Sequence, residues 1–238
     1  MSDQGPVPRP SSTVVLLRER DGHLETFLMR RATTMAFGAG MHVFPGGRLE
    51  ESDVIEGSTL TEDDFPFGRD ALRASTTEAE FRGLVVCARR EVLEETGVRL
   101  SFGDVHLFDH WLTPIGGRYR FDVRFFVAAV PAGEEAVITG SEADRVLWVR
   151  PQFALDEHRE ERFPLMRPTV TTLGFLASHP DIASVIEAAR TRVIVPIVPR
   201  RVDHPDGSVT WSLVNDRTGE TLVDDVPPPN FGLPGGAG

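Results

Sequence analysis

Three glutamates stand close together in the segment RREVLEETG, which runs from Arg89 to Gly97: Glu91, Glu94 and Glu95. Positions i, i+3 and i+4 of an α-helix share one face, so a helix here gathers three carboxylates. At neutral pH these groups repel one another unless a cation lies among them. A solvated acidic stripe is the common interpretation of such a run, and a site for a divalent cation is the alternative.

The surrounding sequence predicts a helix over residues 77–96 that ends next to the glutamates. Thr77 and Glu80 have the spacing of a capping box, and Gly97 stands where a helix stop is expected. The three carboxylates then lie near the C-terminal end, where the helix dipole disfavours negative charge. Such a local violation is expected at a functional site, which favours a metal site. The apolar face is formed by Leu84, Val85, Ala88 and Val92.

A glycine-rich loop upstream could supply the rest of such a site. Gly46 and Gly47 would let the backbone approach a ligand closely or present a carbonyl to a cation. Mg²⁺ prefers carboxylate, carbonyl and water oxygens, and Glu50 and Asp53 follow the loop as further candidates. Arg90, four residues before Glu94, could orient a carboxylate.

The remaining elements predict a mixed α/β domain. Asp21-Gly22 separates two β-favouring runs and indicates a hairpin. Two more strands flank Gly116-Gly117, another is RVLWVRP, and further strands follow near the C-terminus. Helices are predicted at about 152–160, 166–178 and 180–191. Strands interleaved with helices are typical of this class.

We expect one domain over residues 13–225. The Pro/Gly-rich ends predict flexible tails at 1–12 and 226–238, and the acidic segment 54–76 predicts an irregular surface insertion. In the strand after Gly117, Arg118, Arg120 and Arg124 alternate with apolar residues. Their face could meet an anionic ligand or simply face solvent.

The overall composition limits the kinds of binding partner and cellular compartment that we expect for this protein. The net charge of −11 argues against a nucleic-acid backbone, because phosphate-backbone binding needs a basic surface. The single cysteine, Cys87, excludes an intrachain disulfide and indicates a buried structural thiol in a reducing compartment. Apolar runs are too short for a membrane span or signal peptide. We therefore expect a cytoplasmic enzyme without a membrane partner.

The segment REVLEETGV, from Arg90 to Val98, resembles the second half of the signature of the Nudix hydrolases, R-E-U-x-E-E-x-G-U with U aliphatic. Gly47 to Asp53 resembles the first half, with Asp53 in place of the usual glutamate. The departure is that residues 54–89 stand between the halves, so either Asp53 folds back to support the site or that support is lost. The resemblance implies an α/β/α sandwich with a mixed sheet and an inserted loop.

The same resemblance implies particular roles. Glu91, Glu94 and Glu95 would bind Mg²⁺ or Mn²⁺, with a carbonyl of Gly46 or Gly47. Glu91 is also the candidate for activating water, and Arg90 would hold a glutamate in place. Glu142, in a loop before a strand, is a further candidate ligand or base.

The insertion and the upstream FPGG are similar to a Nudix subgroup that includes peroxisomal coenzyme A diphosphatases. Arg31, Gly40 and Phe44 stand at the spacing of its coenzyme A motif, while Ala36 replaces the motif's basic residue. Arg30 and Arg120 are added as candidate substrate-binding residues. The implied reaction is cleavage of coenzyme A or acyl-coenzyme A to 3′,5′-ADP and a phosphopantetheine. Hydrolysis of ADP-ribose or NADH, a non-catalytic nucleotide-binding regulatory module, and assembly as a homodimer stay open.

Overall fold

One mixed sheet of ten strands carries five α-helices in the part of the chain that the structure describes. The computed structural model describes residues 6–34, 38–61, 77–115, 119–139 and 143–226. No helix in these ranges is long and apolar enough to cross a membrane. The strands are β1 Arg9–Arg20, β2 His23–Arg31, β3 His42–Val43, β4 Gly46–Arg48, β5 His106–Leu112, β6 Phe121–Ala129, β7 Ala143–Val149, β8 Pro196–Asp203, β9 Val209–Asn215 and β10 Thr221–Val226. The helices are α1 Glu51–Thr59, α2 Glu78–Thr96, α3 Pro151–Arg159, α4 Arg167–Ala177 and α5 Ile182–Thr191.

The sheet combines parallel and antiparallel pairs, as the sequence predicts. Its strand order is β10-β9-β8-β5-β6-β1-β2-β3, with β4 also paired to β1 and β7 to β2. The β1–β6 and β5–β8 pairs are parallel, and the others are antiparallel. The start of β1 pairs with β4, whereas its end pairs with β2. This pairing holds the glycine loop against the start of the long first strand.

The predicted hairpin between β1 and β2 is confirmed. Asp21 and Gly22 both have positive φ values, 52° and 74°. Two consecutive left-handed residues give the turn a twist that matches the twist of the flanking strands. The hairpin therefore fixes the register between β1 and β2, and β1 in turn pairs with β4, which contains Gly46 and Gly47.

Helices cover both faces of the sheet, which gives the predicted α/β/α sandwich. Helix α2 packs on one face, where its apolar side chains share a core with Val14, Leu16 and Phe126. Helices α4 and α5 pack on the other face, over Val15 and Leu17. Adjacent residues of β1 point to opposite faces because side chains of a strand alternate, so the two layers are separate cores.

Two segments differ from the sequence-based expectation. Residues 9–12, predicted as part of a flexible tail, form the start of β1, because they pair with residues 121–124 of β6. Residues 51–59, which overlap the predicted irregular insertion, form α1, and α1 packs against α2 where Gly57 lies on Gly83. A side chain at Gly57 would place Cβ 2.7 Å from the Gly83 nitrogen, so glycine permits this close packing. Residues 62–76 of the insertion and the tail after Val226 lie outside the described residues.

Candidate active site

Helix α2 presents the three glutamates at its C-terminal end. Thr77 caps the start of the helix by accepting a hydrogen bond from the backbone nitrogen of Glu80 at 3.2 Å. Gly97 ends it in the left-handed conformation, with φ 75°. The last turn contains no basic residue, so the helix dipole and the neighbouring carboxylates both disfavour the charges of Glu94 and Glu95.

Arg90 compensates much of this negative charge. Its guanidinium forms two parallel hydrogen bonds to Asp53, Nε to Oδ1 and Nη2 to Oδ2, both at 2.9 Å. The Nη1 atom donates to Glu91 at 2.8 Å and to Glu94 at 3.2 Å. The hydrogen bonds with Asp53 are the largest of the effects that raise the pKa of Arg90 above its ordinary value. Arg90 therefore holds Glu91 and Glu94 by hydrogen bonds, whereas the expectation was that it holds one glutamate in place.

Asp53 does fold back to the helix, which answers the question raised by the long spacing in the sequence. Its side chain is only 2% exposed. Its Oδ2 atom also accepts the backbone N–H of Glu50 at 2.9 Å, within a capping box at the start of α1. Helix α1 thus places Asp53 beside Arg90, although the two residues are 37 positions apart in the sequence.

The glycine loop lies directly against the glutamates. The Gly46 nitrogen donates to Glu95 Oε2 at 2.8 Å. A Cβ atom at Gly47 would lie 2.1 Å from Glu91 Oε1, and one at Gly46 would lie 2.2 Å from the Ser12 carbonyl oxygen. Gly46 requires glycine, because a Cβ atom there would meet the backbone of β1. At Gly47 the absence of a side chain lets the Glu91 carboxylate lie against the loop.

Glu91 is the most enclosed of the glutamates that Arg90 contacts. Its side chain is 15% exposed, against 57% for Glu94. Burial raises the pKa of Glu91, and the charge and hydrogen bond of Arg90 oppose this increase. A carboxylate in this environment accepts a proton more readily than an exposed one.

The donor set fits a hard divalent cation in chemical type. The neighbouring oxygens come from carboxylates and backbone carbonyls, which Mg²⁺ and Mn²⁺ prefer. Among the described residues, however, no three acidic, histidine or cysteine side chains converge as a ready cluster. In this arrangement Glu91 and Glu94 both accept from Arg90 Nη1, and Glu95 accepts from the Gly46 nitrogen.

A cavity of about 570 Å³ opens over Glu91 and Glu94, whereas Glu95 is not among the residues that line it. Glu91, Glu94 and Glu50 line it, together with Gly46 and Gly47. Three arginines besides Arg90 also line it, and much of the remaining wall is apolar. These arginines are Arg31, Arg48 and Arg167, and the apolar wall includes Val43, Phe44, Trp111, Phe121, Val123, Phe125 and Pro199. The cavity therefore combines a carboxylate region, cationic groups and an apolar surface.

The predicted substrate-binding residues separate into two groups. Arg31 and Phe44 line the cavity. Gly40 supports the turn before β3, with φ 73° and a hydrogen bond from its nitrogen to the Arg31 carbonyl at 3.0 Å. Arg30 instead forms a two-pronged ion pair with Asp144, at 2.7 and 2.8 Å. Glu142 and Ala36 lie outside the described residues.

Strand β6 presents its apolar face, and not its arginines, to the cavity. Phe121, Val123 and Phe125 line the cavity, whereas Arg120 donates to the carbonyls of Thr113 and Pro6 at 3.3 and 3.2 Å. The expected role of Arg120 in substrate binding is therefore not supported by its position. Arg118 lies outside the described residues.

The opposite face of β6 is not solvent-facing either. Arg124 is 3% exposed and pairs with Asp122, which in turn lies 2.6 Å from His110 Nε2. Period-two alternation separates two faces but does not say which one is buried. Here a buried ion pair allows the charged face to pack inside.

Sequence patterns did not identify Arg48, Arg167 or Thr169 as site residues. Arg48 follows the glycine loop, and Arg167 and Thr169 lie in the first turn of α4, far along the chain from the glutamates. All three line the cavity. Only the tertiary packing of α4 on the sheet brings its first turn to this site.

Cys87 is a buried structural thiol, as predicted, and should be unreactive in the folded protein. Burial is the main factor that raises its pKa to about 12, so at pH 8 roughly one molecule in 10⁴ carries a thiolate. We expect no labelling by a thiol reagent at pH 8 over the time in which the denatured protein reacts fully. Rapid labelling of the native protein would contradict this burial.

Solved structures show that the chain has a Nudix fold. A Nudix hydrolase from Alicyclobacillus acidocaldarius is 23% identical, covers 76% of this chain and 96% of its own, and aligns with a TM-score of 0.66. A mutator MutT protein from Bacillus halodurans is 12% identical over 86% of this chain and 97% of its own, with a TM-score of 0.48. No protein-family model and no curated protein matches the sequence.

Proposed function

We propose that this protein is a Nudix-type diphosphatase that hydrolyses a nucleoside diphosphate linked to another moiety. One observation carries the proposal: Glu91 and Glu94, held by Arg90 and its partner Asp53 beside the glycine loop, line the cavity of about 570 Å³. Three carboxylates close to a helix C-terminus are costly for folding, and hydrolytic chemistry would account for their presence.

Mg²⁺ or Mn²⁺ would be held by Glu91, Glu94 and Glu95, with a carbonyl of Gly46 or Gly47. When bound, such a cation polarises a phosphoryl oxygen and lowers the pKa of a coordinated water. The carboxylates and carbonyls of this region match the ligand type. Binding requires Glu91 and Glu94 to exchange their contact with Arg90 Nη1 for the cation, while Asp53 keeps the guanidinium in place through its two hydrogen bonds.

Residues that line the cavity would activate the water, bind the diphosphate and hold the rest of the substrate. Glu91 is the candidate general base, because burial raises its pKa and it lies at the cavity. Arg31, Arg48 and Arg167 can bind the anionic oxygens of a diphosphate substrate. The apolar wall around Trp111 and Phe125 can pack against a nucleobase, a pantetheine arm or an acyl chain and exclude water.

The preferred substrate is coenzyme A or an acyl derivative, cleaved to 3′,5′-ADP and a phosphopantetheine. The support is that Arg31 and Phe44, the residues at the spacing of the coenzyme A motif, both line the cavity. The large apolar surface beside them also suits the pantetheine or acyl part. ADP-ribose and NADH are the alternatives for the same chemistry, and nucleotide binding without hydrolysis is the alternative of another class.

Product analysis of the purified protein tests this proposal. Coenzyme A, acetyl-coenzyme A, NADH and ADP-ribose would each be incubated with Mg²⁺ or Mn²⁺, and with EDTA as the control. We expect metal-dependent release of 3′,5′-ADP from the first two. Cleavage of only NADH or ADP-ribose would overturn the coenzyme A assignment and keep the chemistry. Nucleotide binding without any cleavage would overturn the diphosphatase assignment in favour of a regulatory module.

A further inference from the structure

The N-terminus of α4 opens on the cavity without a side-chain cap. Helix α4 has 11 residues, and Met166 at its N-cap position forms no side-chain cap. Residues 166–169 all line the cavity. The first N–H groups of a helix have no partner within the helix, and together with the helix dipole they favour an anion. In α4 these groups are the N–H of Arg167 and the N–H of Thr169, because Pro168 has none. A helix start alone does not make a site, but two further features point to a ligand here.

The first feature is the hydroxyl of Thr169. The residue is only 4% exposed and lines the cavity. No hydrogen bond of its side chain is seen among the described residues, and its oxygen is not one of the buried polar atoms that lack a partner. The hydroxyl therefore reaches the cavity, where it can donate a hydrogen bond to an anionic acceptor.

The second feature is the pair of arginines beside this helix start. Arg167 is the first residue of α4, and burial lowers its pKa, so an anion in the cavity would favour its charged form. Arg31 comes from the end of β2. A Cβ atom at Gly38 would lie 2.3 Å from Met166 Cε and 3.3 Å from Arg31 Cδ. Arg31 therefore packs beside the N-cap residue of α4.

The backbone fixes this arrangement. The His42 nitrogen donates to the Pro164 carbonyl at 2.9 Å, and His42 forms a parallel bridge with Leu165. These contacts tie the segment before α4 to β3, next to the end of β2. The helix start thus belongs to the layer of α4, whereas the glutamates belong to the layer of α2 on the opposite face of the sheet.

We propose that Arg31, Arg167, Thr169 and the first N–H groups of α4 form a second anion subsite, which takes a phosphate monoester on the ribose of the substrate. This inference rests on the proposed function, because it assigns a second phosphate in addition to the diphosphate that is cleaved at the glutamates. The substrate class is then a nucleoside diphosphate derivative with a phosphorylated ribose. Coenzyme A carries a 3′-phosphate of this kind, whereas ADP-ribose and NADH carry none.

Calorimetric binding of small nucleotides to the full chain, without metal, tests the subsite independently of hydrolysis. The probes are adenosine 3′,5′-bisphosphate, adenosine 2′,5′-bisphosphate and AMP. We expect at least one bisphosphate to bind about 10-fold or more tightly than AMP, since hydrogen bonds to charged groups are strong. The two bisphosphates distinguish a 3′-phosphate from a 2′-phosphate source. Equal affinity for all three probes would overturn the proposal.

Two variants and a control test whether Thr169 and Arg167 cause the preference for a bisphosphate over AMP. Thr169→Val keeps the side-chain shape and removes the hydroxyl, and Arg167→Gln removes the charge. Each should reduce the preference over AMP by about 10-fold. Thr172→Val is the matched control, because Thr172 lies one turn further along α4, is 1% exposed and has a hydroxyl without a partner, away from this cavity. We expect Thr172→Val to keep the wild-type preference.

The outcomes separate this inference from the proposed function. A bisphosphate preference that Thr169→Val and Arg167→Gln both reduce supports the subsite even if no diphosphate is cleaved. A preference that persists in both variants would overturn the subsite even if coenzyme A is cleaved. As a kinetic readout, coenzyme A and dephospho-coenzyme A should differ in kcat/KM in the wild type, and the Thr169→Val substitution should reduce that difference.

Discussion

Glu94→Gln is expected to reduce diphosphatase activity by about 10²–10³-fold, the range found when a preorganised electrostatic group is removed, without destabilising the fold. Glu94 lies in the last turn of α2 with a 57% exposed side chain. Removing its charge relieves repulsion within the acidic cluster and the unfavourable interaction with the helix dipole. The free energy of unfolding should therefore stay unchanged or rise by up to about 1 kcal/mol. Steady-state kinetics and chemical denaturation measure the two quantities.

The same helix offers a matched control at its other end. Glu78 has a 58% exposed side chain and pairs with Arg82 at i,i+4, as Glu94 pairs with Arg90. Glu78 lies in the first turn, where a negative charge is favourable. Glu78→Gln should therefore lower the free energy of unfolding by about 0.5 kcal/mol and leave the activity unchanged. Equal activity in the two variants would contradict a catalytic role for Glu94.

Local signals in the sequence were sufficient to predict the helix that carries the site. The Thr77 cap, the Gly97 stop and the apolar periodicity between them are properties of one segment. They placed α2 correctly, and they placed the glutamates on one face at its end. The hairpin at Asp21-Gly22 was predictable for the same reason, because two left-handed positions suit these residue types.

The role of Asp53 could not be predicted from the sequence, because it depends on contacts between residues far apart in the chain. Whether Asp53 supports Arg90 depends on how α1 packs against α2, and this packing rests on contact between Gly57 and Gly83. A short helix with few apolar residues has little sequence signal, since its stability comes from tertiary contact. The segment around α1 was therefore predicted as irregular, although it forms a helix.

The part of the cavity wall formed by β6 and the start of α4 could not be predicted from the sequence for the same reason. The alternation in β6 separated its apolar and charged faces, but the buried partners of Arg124 decide that the charged face packs inside. The apolar face is consequently free to line the cavity. Likewise, Arg167 and Thr169 become site residues only because β3 holds the segment before α4 beside Arg31.

Arg90→Met is expected to destabilise the protein by about 3–5 kcal/mol, the usual result of removing one partner of a buried ion pair. The Asp53 side chain is 2% exposed and would lose both guanidinium hydrogen bonds. As a control, Arg159→Met removes an arginine from an exposed ion pair with Asp156, whose side chains are 65% and 55% exposed. That loss should be below about 1 kcal/mol. Urea denaturation of both variants measures the difference.

A second substitution at Asp53 separates loss of the charge pair from loss of packing. In the wild type, Asp53→Asn should be destabilising, because it removes the charged partner of Arg90. In the Arg90→Met background the same substitution should restore stability, because the amide still accepts the Glu50 N–H but buries no unpaired charge. This reversal of sign follows only if Arg90 and Asp53 are coupled as a pair. If Asp53→Asn destabilises both backgrounds equally, Arg90 supports the site through packing alone, and the assignment of Asp53 as its electrostatic anchor is wrong.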